Sequence, residues 1–266
     1  MSVAIITGAS SGIGAQFARE VVARGVSEVW LVARRRERLE ALAEELGVKA
    51  EIITADLSVS EGIERLRNML AQRSPSVKYL INAAGFGDFG AYDELPEESV
   101  AKMIDLNVRA LVLITHMTLP YMERGSKVIE LGSGSCFTPL PYFNTYAASK
   151  SFVLHYSKGL REEVRERGIG VTCFCPGWVH TEFLGKATRD KSVTRPRESF
   201  FKPLLNCEKV VHGCMKAVDR GRFMYVTNWY TKLQHLLFKL LPDRLLTAVW
   251  LGNIEYGEGR RKDGKK

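Results

Sequence analysis

Short apolar runs alternate with stretches of helical period along most of the chain. The run VAIITG, residues 3–8, reads as a strand and leads into a helix from about Ser11 to Arg24. EVWLVAR (28–34) is followed by the helical pattern RERLEALAEELG (36–47), and AEIITADL (50–57) by GIERLRNMLAQR (62–73). YLINAAG (79–85) precedes a long helical pattern over about 97–124. KVIELGSGS (127–135) precedes a helix starting near Tyr146, and GVTCFCPG (170–177) closes the series. Strands separated by helices predict an α/β protein with a parallel sheet covered on both faces. No repeat and no linker interrupts the series, so one domain over residues 1–266 is expected.

The rhythm breaks over 184–206, which is polar first and then carries Phe200, Phe201, Leu204 and Leu205. MYVTN (224–228) reads as a last strand. In 229–251 the residues Leu233, Leu236, Leu237, Leu240 and Leu241 fall on one helical stripe, with Lys232, Gln234 and Lys239 off it. Pro242 ends that helix, and Leu245, Leu246, Val249 and Trp250 begin another. Such a stripe usually packs on its own domain, covers a substrate site or meets another subunit. Peripheral contact with a membrane surface is the less favoured outcome.

Composition narrows the classes. The chain is 45% apolar and 26% charged, ordinary for a globular protein, with a net charge of +8. Much of the excess lies in Arg34–Arg36 and in the final GRRKDGKK, expected to be a flexible basic tail over 257–266. No Lys/Arg stripe is interleaved with aromatics, which argues against nucleic acid. Cys136, Cys173, Cys175, Cys207 and Cys214 form no CxxC pair; buried free thiols are expected, and no metal. The N-terminus reads as strand plus turn rather than signal peptide, and no run has the length of a transmembrane helix. A cytoplasmic protein is expected.

The first chemical signal is TGASSGIG, residues 7–14, between a strand and a helix. Glycines there let the backbone turn tightly and approach a pyrophosphate, which the helix N-terminus attracts. Gly8, Ser10, Ser11, Gly12, Ile13 and Gly14 are the candidate contacts. The second strand distinguishes the dinucleotides. An acid at its end would hold a ribose hydroxyl and repel a 2′-phosphate. Here the strand ends in Ala33 and runs into Arg34, Arg35 and Arg36, which favours NADP(H) over NAD(H), with Arg34 as the main contact and Arg35 beside it.

The second signal is NTYAASKSF, residues 144–152. Tyr146 and Lys150 lie one helical turn apart on one face, with only small residues between them. An ammonium about 4 Å from the phenol would stabilise the phenolate by roughly 4 kcal/mol, about three pH units. Such a tyrosine exchanges a proton with a carbonyl or alcohol oxygen. Ser133, at the end of the preceding strand, is placed to face it across a crevice.

Taken in order, TGASSGIG, Asp56 in ADL, NAAG (82–85), Asn107, Ser133, YAASK (146–150) and PGWVHT (176–181) resemble the short-chain dehydrogenase/reductase family over roughly residues 1–182. The resemblance implies a Rossmann-like doubly wound parallel sheet in three α/β/α layers, here with a C-terminal helical extension. It implies that Tyr146 is the acid/base and that Lys150 lowers its pKa and binds the nicotinamide ribose. Ser133 would bond the substrate oxygen, and Asn107 would support a water-linked proton relay. Asp56 and Leu57 would border the adenine, Asn82 would steady the central sheet, and Asn82, Ala83 and Gly85 would border the cofactor at its end. Pro176, Gly177, Val179 and Thr181 would border the nicotinamide. Homodimers or homotetramers are common in the family. One departure is Ala83, where the family commonly has a second asparagine.

Bulky side chains flank this set: Phe86, Phe89, Phe137, Tyr142, Trp178 and Phe183. With 184–206 as a lid they suggest a lipophilic substrate, a steroid-like ketone or alcohol being the specific expectation. The alternatives are an acyl-chain or aldehyde reductase on the same scaffold and a nucleotide-sensing protein without turnover. Keeping Ser133, Tyr146 and Lys150 together speaks against the last.

Overall fold

In the computed structural model the described residues are 2–188, 190 and 192–257, without the side chains of Tyr230, Gln234, Phe238 and Lys239. The basic tail from residue 258, and the off-stripe placing of Gln234 and Lys239, therefore lie outside the described residues. The first half of the chain alternates as the hydropathy predicts: β1 (Ser2–Thr7), α1 (Gly12–Val22), β2 (Glu28–Ala33), α2 (Arg36–Leu46), β3 (Lys49–Thr54), α3 (Ser60–Arg73) and β4 (Ser76–Asn82). Then come α4 (Glu97–Ile104), α5 (Leu111–Thr118), β5 (Met122–Leu131), α6 (Asn144–Glu163) and β6 (Gly170–Cys175). The remainder holds α7 (Glu182–Ala187), β7 (Arg195–Pro196), α8 (Cys207–Asp219), β8 (Met224–Val226), α9 (Trp229–Leu240), α10 (Asp243–Leu251) and β9 (Ile254–Glu255).

Seven strands form one sheet in the order β3-β2-β1-β4-β5-β6-β8. Every neighbouring pair is parallel. Two apolar layers sandwich it, which is why β2 is buried at every position and cannot alternate polar with apolar. Strand order turns back at β1, so β1 and β4 diverge into opposite halves. A crevice opens outside their carboxyl ends, where such sheets bind ligands.

Two expected elements differ. The helical pattern over 97–124 is not one helix: between α4 and α5 the backbone widens into a π turn at Asp105–Ala110. A short 3-10 turn at Leu119–Tyr121, with Pro120 near its start, then ends the run. The chain is already in β5 at Met122, five residues before the apolar run that signals it.

The second departure is at the C-terminus. α9 does not bury its leucine stripe: Leu233, Leu236, Leu237 and Leu240 are exposed, as are Leu245 and Val249 of α10. α10 turns Leu246 and Trp250 inward instead. All five cysteines are free thiols; four are buried and Cys207 is half-buried. Among the described residues no helix is long and apolar enough to cross a membrane.

Candidate active site

The glycine turn joins β1 to α1. Gly8 and Gly12 have φ of +68° and +54°, values that side chains resist. At Gly14 the reason is space, since a Cβ there would lie 2.4 Å from the Gly8 carbonyl oxygen. The bare turn and the start of α1 form one end of a cleft of about 640 Å³ that runs across the carboxyl ends of the strands. It is lined as expected by the turn residues Gly8, Ser10, Ser11, Gly12, Ile13 and Gly14, by Arg34 and Arg35, and by Asp56 and Leu57. Ala83, Gly85, Phe86, Ser133, Tyr146 and Lys150 continue the lining. Pro176, Gly177, Trp178, Val179, Thr181 and Phe183 complete the far wall. A long groove with a glycine cradle at one end and a phenol and amine at the other fits a dinucleotide.

At the phosphate end Arg35, not Arg34, lies on the turn. Its guanidinium donates to Ser10 Oγ at 3.0 Å, to Ser11 Oγ at 2.8 Å and to Glu182 at 2.7 Å. Arg34 is more open and stands 3.7 Å from Asp56, with Lys102 3.8 Å from the same carboxylate. Burial alone would raise the Asp56 pKa. Two hydrogen bonds from Ser58, with Arg34 and Lys102, outweigh it and hold the carboxyl below its ordinary value. Cleft-lining groups with no clear sequence signal are Lys102, Lys186 and Glu182. For Glu182 one hint was legible: a carboxylate directly after PGWVHT, opposite an arginine run.

At the chemical end α6 presents Tyr146 and Lys150 on the same face, both buried. The Ser133 hydroxyl faces the Tyr146 phenol closely enough to favour its charged form. Ser133 is set by its place just beyond β5, where its Oγ also accepts from Ser135 N–H at 3.2 Å. Lys150 Nζ donates to the Leu131 carbonyl at 2.7 Å and lies 5.7 Å from the centre of the Tyr146 ring. The expected depression of the phenol is overturned in the protein alone. Burial pushes the Tyr146 pKa up, and the Ser133 hydroxyl only partly counters it. Burial likewise lowers Lys150 to about 8, partly offset by neighbouring thiols and Glu130. Desolvation dominates because both groups lose water in the same closed corner.

Five predicted residues do not line the cleft. Asn82 is buried behind it and donates to Thr115 Oγ1 at 2.8 Å and Glu130 at 3.3 Å, so it ties β4 to α5 and β5, the sheet-steadying role expected of it, and does not line the cleft. Asn107 sits in the π turn, fully buried; it exchanges hydrogen bonds with the Phe86 backbone at 2.9 and 3.1 Å and donates to Ser149 at 3.1 Å. Phe89 stacks on Phe143 at 3.9 Å, one layer behind Tyr146, which itself stacks on Phe143 at 4.4 Å. Phe137 lies 3.8 Å from the His235 ring of α9. Tyr142 is turned edge-on to Tyr256. Phe89 and Tyr142 belong to the aromatic cluster behind the cleft wall, whereas Phe137 packs in a separate cluster with Cys136 and Val153. Gly87 was also missed; a Cβ there would lie 2.6 Å from the Tyr146 ring, so it makes room for the phenol.

The comparisons with known proteins agree with this arrangement. The family model described as short chain dehydrogenase matches residues 2–192. A human relative, inactive hydroxysteroid dehydrogenase-like protein 1, is 32% identical over 262 residues, 94% of this chain and 75% of its own. A short-chain dehydrogenase from Sphingobium yanoikuyae, solved in complex with NADPH, superposes with a TM-score of 0.78 at 26% identity over 99% of both chains. The bulky-bulky ketone specific alcohol dehydrogenase of Comamonas testosteroni superposes with a TM-score of 0.72 at 26% identity, over 90% of this chain and 93% of its own. With the glycine turn, the cleft and the Ser133–Tyr146–Lys150 set in place, the chain belongs to the short-chain dehydrogenase family.

Proposed function

We propose that the protein is an NADP(H)-dependent oxidoreductase that interconverts a ketone and a secondary alcohol on a bulky hydrophobic substrate, a hydroxysteroid being the specific candidate. The observation that carries the reading is the Ser133–Tyr146 hydroxyl pair, with Lys150 beside it, at the closed end of a cleft whose other end is a glycine cradle edged by Arg35.

Bound nicotinamide supplies or takes up the hydride. The side chains handle the proton. Ser133 donates a hydrogen bond to the substrate oxygen and fixes the carbonyl. Tyr146 gives its hydroxyl proton to that oxygen during reduction and takes it back during oxidation. Lys150 is held by the Leu131 carbonyl on one side, leaving its other N–H groups for ribose hydroxyls. A cationic amine and an oxidised ring both favour phenolate, so the burial that raises Tyr146 in the protein alone is offset when the cofactor is present. Asn107 anchors the backbone at Phe86; a Cβ on Gly85 would lie 2.9 Å from its Oδ1 and 3.5 Å from Lys150 Nζ. Asn107 and Lys150 thus both border Gly85, and a relay between them would need a bridging water.

The substrate side is apolar. Phe86, Trp178 and Phe183 line it. Phe201 packs edge-on against Trp178 at 4.8 Å, and Phe200 against Trp250 at 5.2 Å. A fused-ring or branched ketone suits that wall better than a polar sugar. The alcohol dehydrogenase for bulky ketones among its structural relatives and the NADPH-bound relative support the same reading. The test is a panel of ketosteroids, aldehydes and β-ketoacyl thioesters with NADPH and with NADH, read at the nicotinamide absorbance. Turnover of ketosteroids with NADPH is expected. Turnover confined to small polar sugars, or preference for NADH, would overturn the reading.

A further inference from the structure

Near the end of β5 stands a residue that packing does not ask for. Glu130 is fully buried there, in a strand whose Val128 and Ile129 are apolar. The pairing registers put Thr7, Asn82, Glu130 and Cys173 in one row across β1, β4, β5 and β6. All four are buried, and the row lies one residue beneath Gly8, Ala83 and Leu131, which line the cleft. Side chains alternate along a strand, so the row points to the face covered by α5 and α6, as Val128 and Val171 do. It floors the cleft on the side from which α6 brings Lys150.

The contacts of Glu130 follow from that place. Its Oε1 accepts from Thr115 of α5 at 2.8 Å and from Asn82 at 3.3 Å, while Oε2 has no partner among the described residues. Lys150, itself buried, donates from Nζ to the carbonyl of Leu131, the next residue along β5. Facing the amine are the Tyr146 ring, the thiols of Cys173 and Cys175 on β6 and of Cys136 beyond Ser133, and Glu130. Facing the carboxyl are Lys150 and Tyr156 of α6, with Cys173 in register beside it. Of these groups only Glu130 is a carboxylate. Contacts with Cys136 and Cys173, together with burial, push the Cys175 thiol up. A valine would fill the space without the cost of an acid in a dry core. Such a cost is found where a site uses the charge.

We propose that Glu130 is a positioning residue for the proton step: its carboxylate, set in the floor of the cleft, holds the positive charge on Lys150 and so sets the pH at which Tyr146 acts as a base. The inference rests on the Tyr146–Lys150 reading above. Burial, countered by Thr115, Asn82 and Lys150, raises Glu130 to about 7; burial, opposed by Cys173 and then Glu130, lowers Lys150 to about 8. Between those values both groups are charged. Without the carboxylate Lys150 gives up its proton at lower pH, and the phenol then needs a higher pH to ionise.

The experiment follows the Cε resonance of Lys150 against pH in carbon-labelled protein without cofactor, assigned by its loss in Lys150→Arg. In Glu130→Gln the midpoint should fall by about one pH unit. The alcohol product of the ketone turned over in the panel above is then oxidised with NADP+ across the same range. The acid limb of kcat in Glu130→Gln should move up by about as much, a roughly tenfold loss near neutrality that closes on the alkaline plateau, with NADPH affinity within about twofold. A role in packing alone would lower kcat alike at every pH and leave the Lys150 midpoint in place. That outcome overturns the inference, as does a moved midpoint with an unmoved kcat profile. Thr115→Val keeps the carboxyl and removes its 2.8 Å hydrogen bond, so it should lower the Lys150 midpoint in the same direction by less. It serves if Glu130→Gln fails to fold, and an unmoved midpoint there is equally fatal. No turnover across the panel by the unaltered protein would overturn the earlier reading instead; the titration needs no substrate and would still decide whether Glu130 charges Lys150.

Discussion

Tyr146 shows how little a sequence motif says about the field around it. The spacing to Lys150 was legible, and so was the shared helix face. The sign of the phenol's shift was not, because it depends on burial from Phe143 on one side and Phe183 on the other. Tyr146→Phe keeps that stack and removes only the proton. It should cut kcat by about a hundred- to ten-thousand-fold while NADPH affinity stays within about twofold, as stopped-flow turnover and fluorescence titration would measure. Glu130 gives a second residue-scale prediction. It is fully buried in β5, and burial, countered by Thr115, Asn82 and Lys150, raises its pKa to about 7. Its Oε2 and the Asn82 Oδ1 lack partners, as a protonated acid beside a reoriented amide would avoid. A raised folded pKa stabilises below the unfolded value and loses that stability as pH climbs through about 7. Glu130→Gln should therefore remove a loss on the order of 3 kcal/mol between pH 4.5 and 8, seen as a flatter dependence of Tm on pH.

At the scale of elements, the strands and helices with strong periodicity were readable, and the interruptions were not. The π turn that carries Asn107 inserts no proline or glycine; DLNVRA has ordinary helical composition. Only the demand for Asn107 to meet Phe86 and Ser149 at once exposes it, and that is a tertiary demand. The stripe on α9 is the opposite case: the helical pattern is there, and of the outcomes expected for it, packing on its own domain is the one the exposed Leu233, Leu236, Leu237 and Leu240 do not show. This difference is measurable. Replacing Leu236 and Leu240 by serine should shift the urea midpoint by less than about 0.5 kcal/mol of stability each. Trp250→Ala in α10 should cost about 3–5 kcal/mol, because Trp250 is buried, meets Phe200 edge-on and donates to the Pro141 carbonyl at 2.7 Å.

Across the whole molecule, the order of strands separates two tasks. The glycine cradle and the arginines at one end of the cleft come from the turns after β1 and β2, close together in sequence, whereas the aromatic wall is assembled from loops far apart in sequence. That is why the motifs in residues 1–182 spoke clearly about reaction class and the rest spoke weakly about substrate. The net charge of +8 and the cations at the cleft mouth add a global expectation. NADPH affinity should fall more steeply with added salt than NADH affinity, because the extra phosphate charge is what salt screens. Calorimetry at two ionic strengths would check it.

The small ribbon of β7 and β9 lies outside the main sheet, and it fastens the described end of the chain to the segment just after α7. Arg195 faces Glu255 across it at 3.7 Å, and Thr194 is held by Glu94 at 2.8 Å. The ribbon works as a buckle on the chamber, remote from the dinucleotide groove. On the proposed reading, a chain shortened at Leu251 should bind NADPH within about twofold of the full chain by fluorescence titration yet discriminate less among ketones in a substrate panel, because only the chamber side loses its fastening.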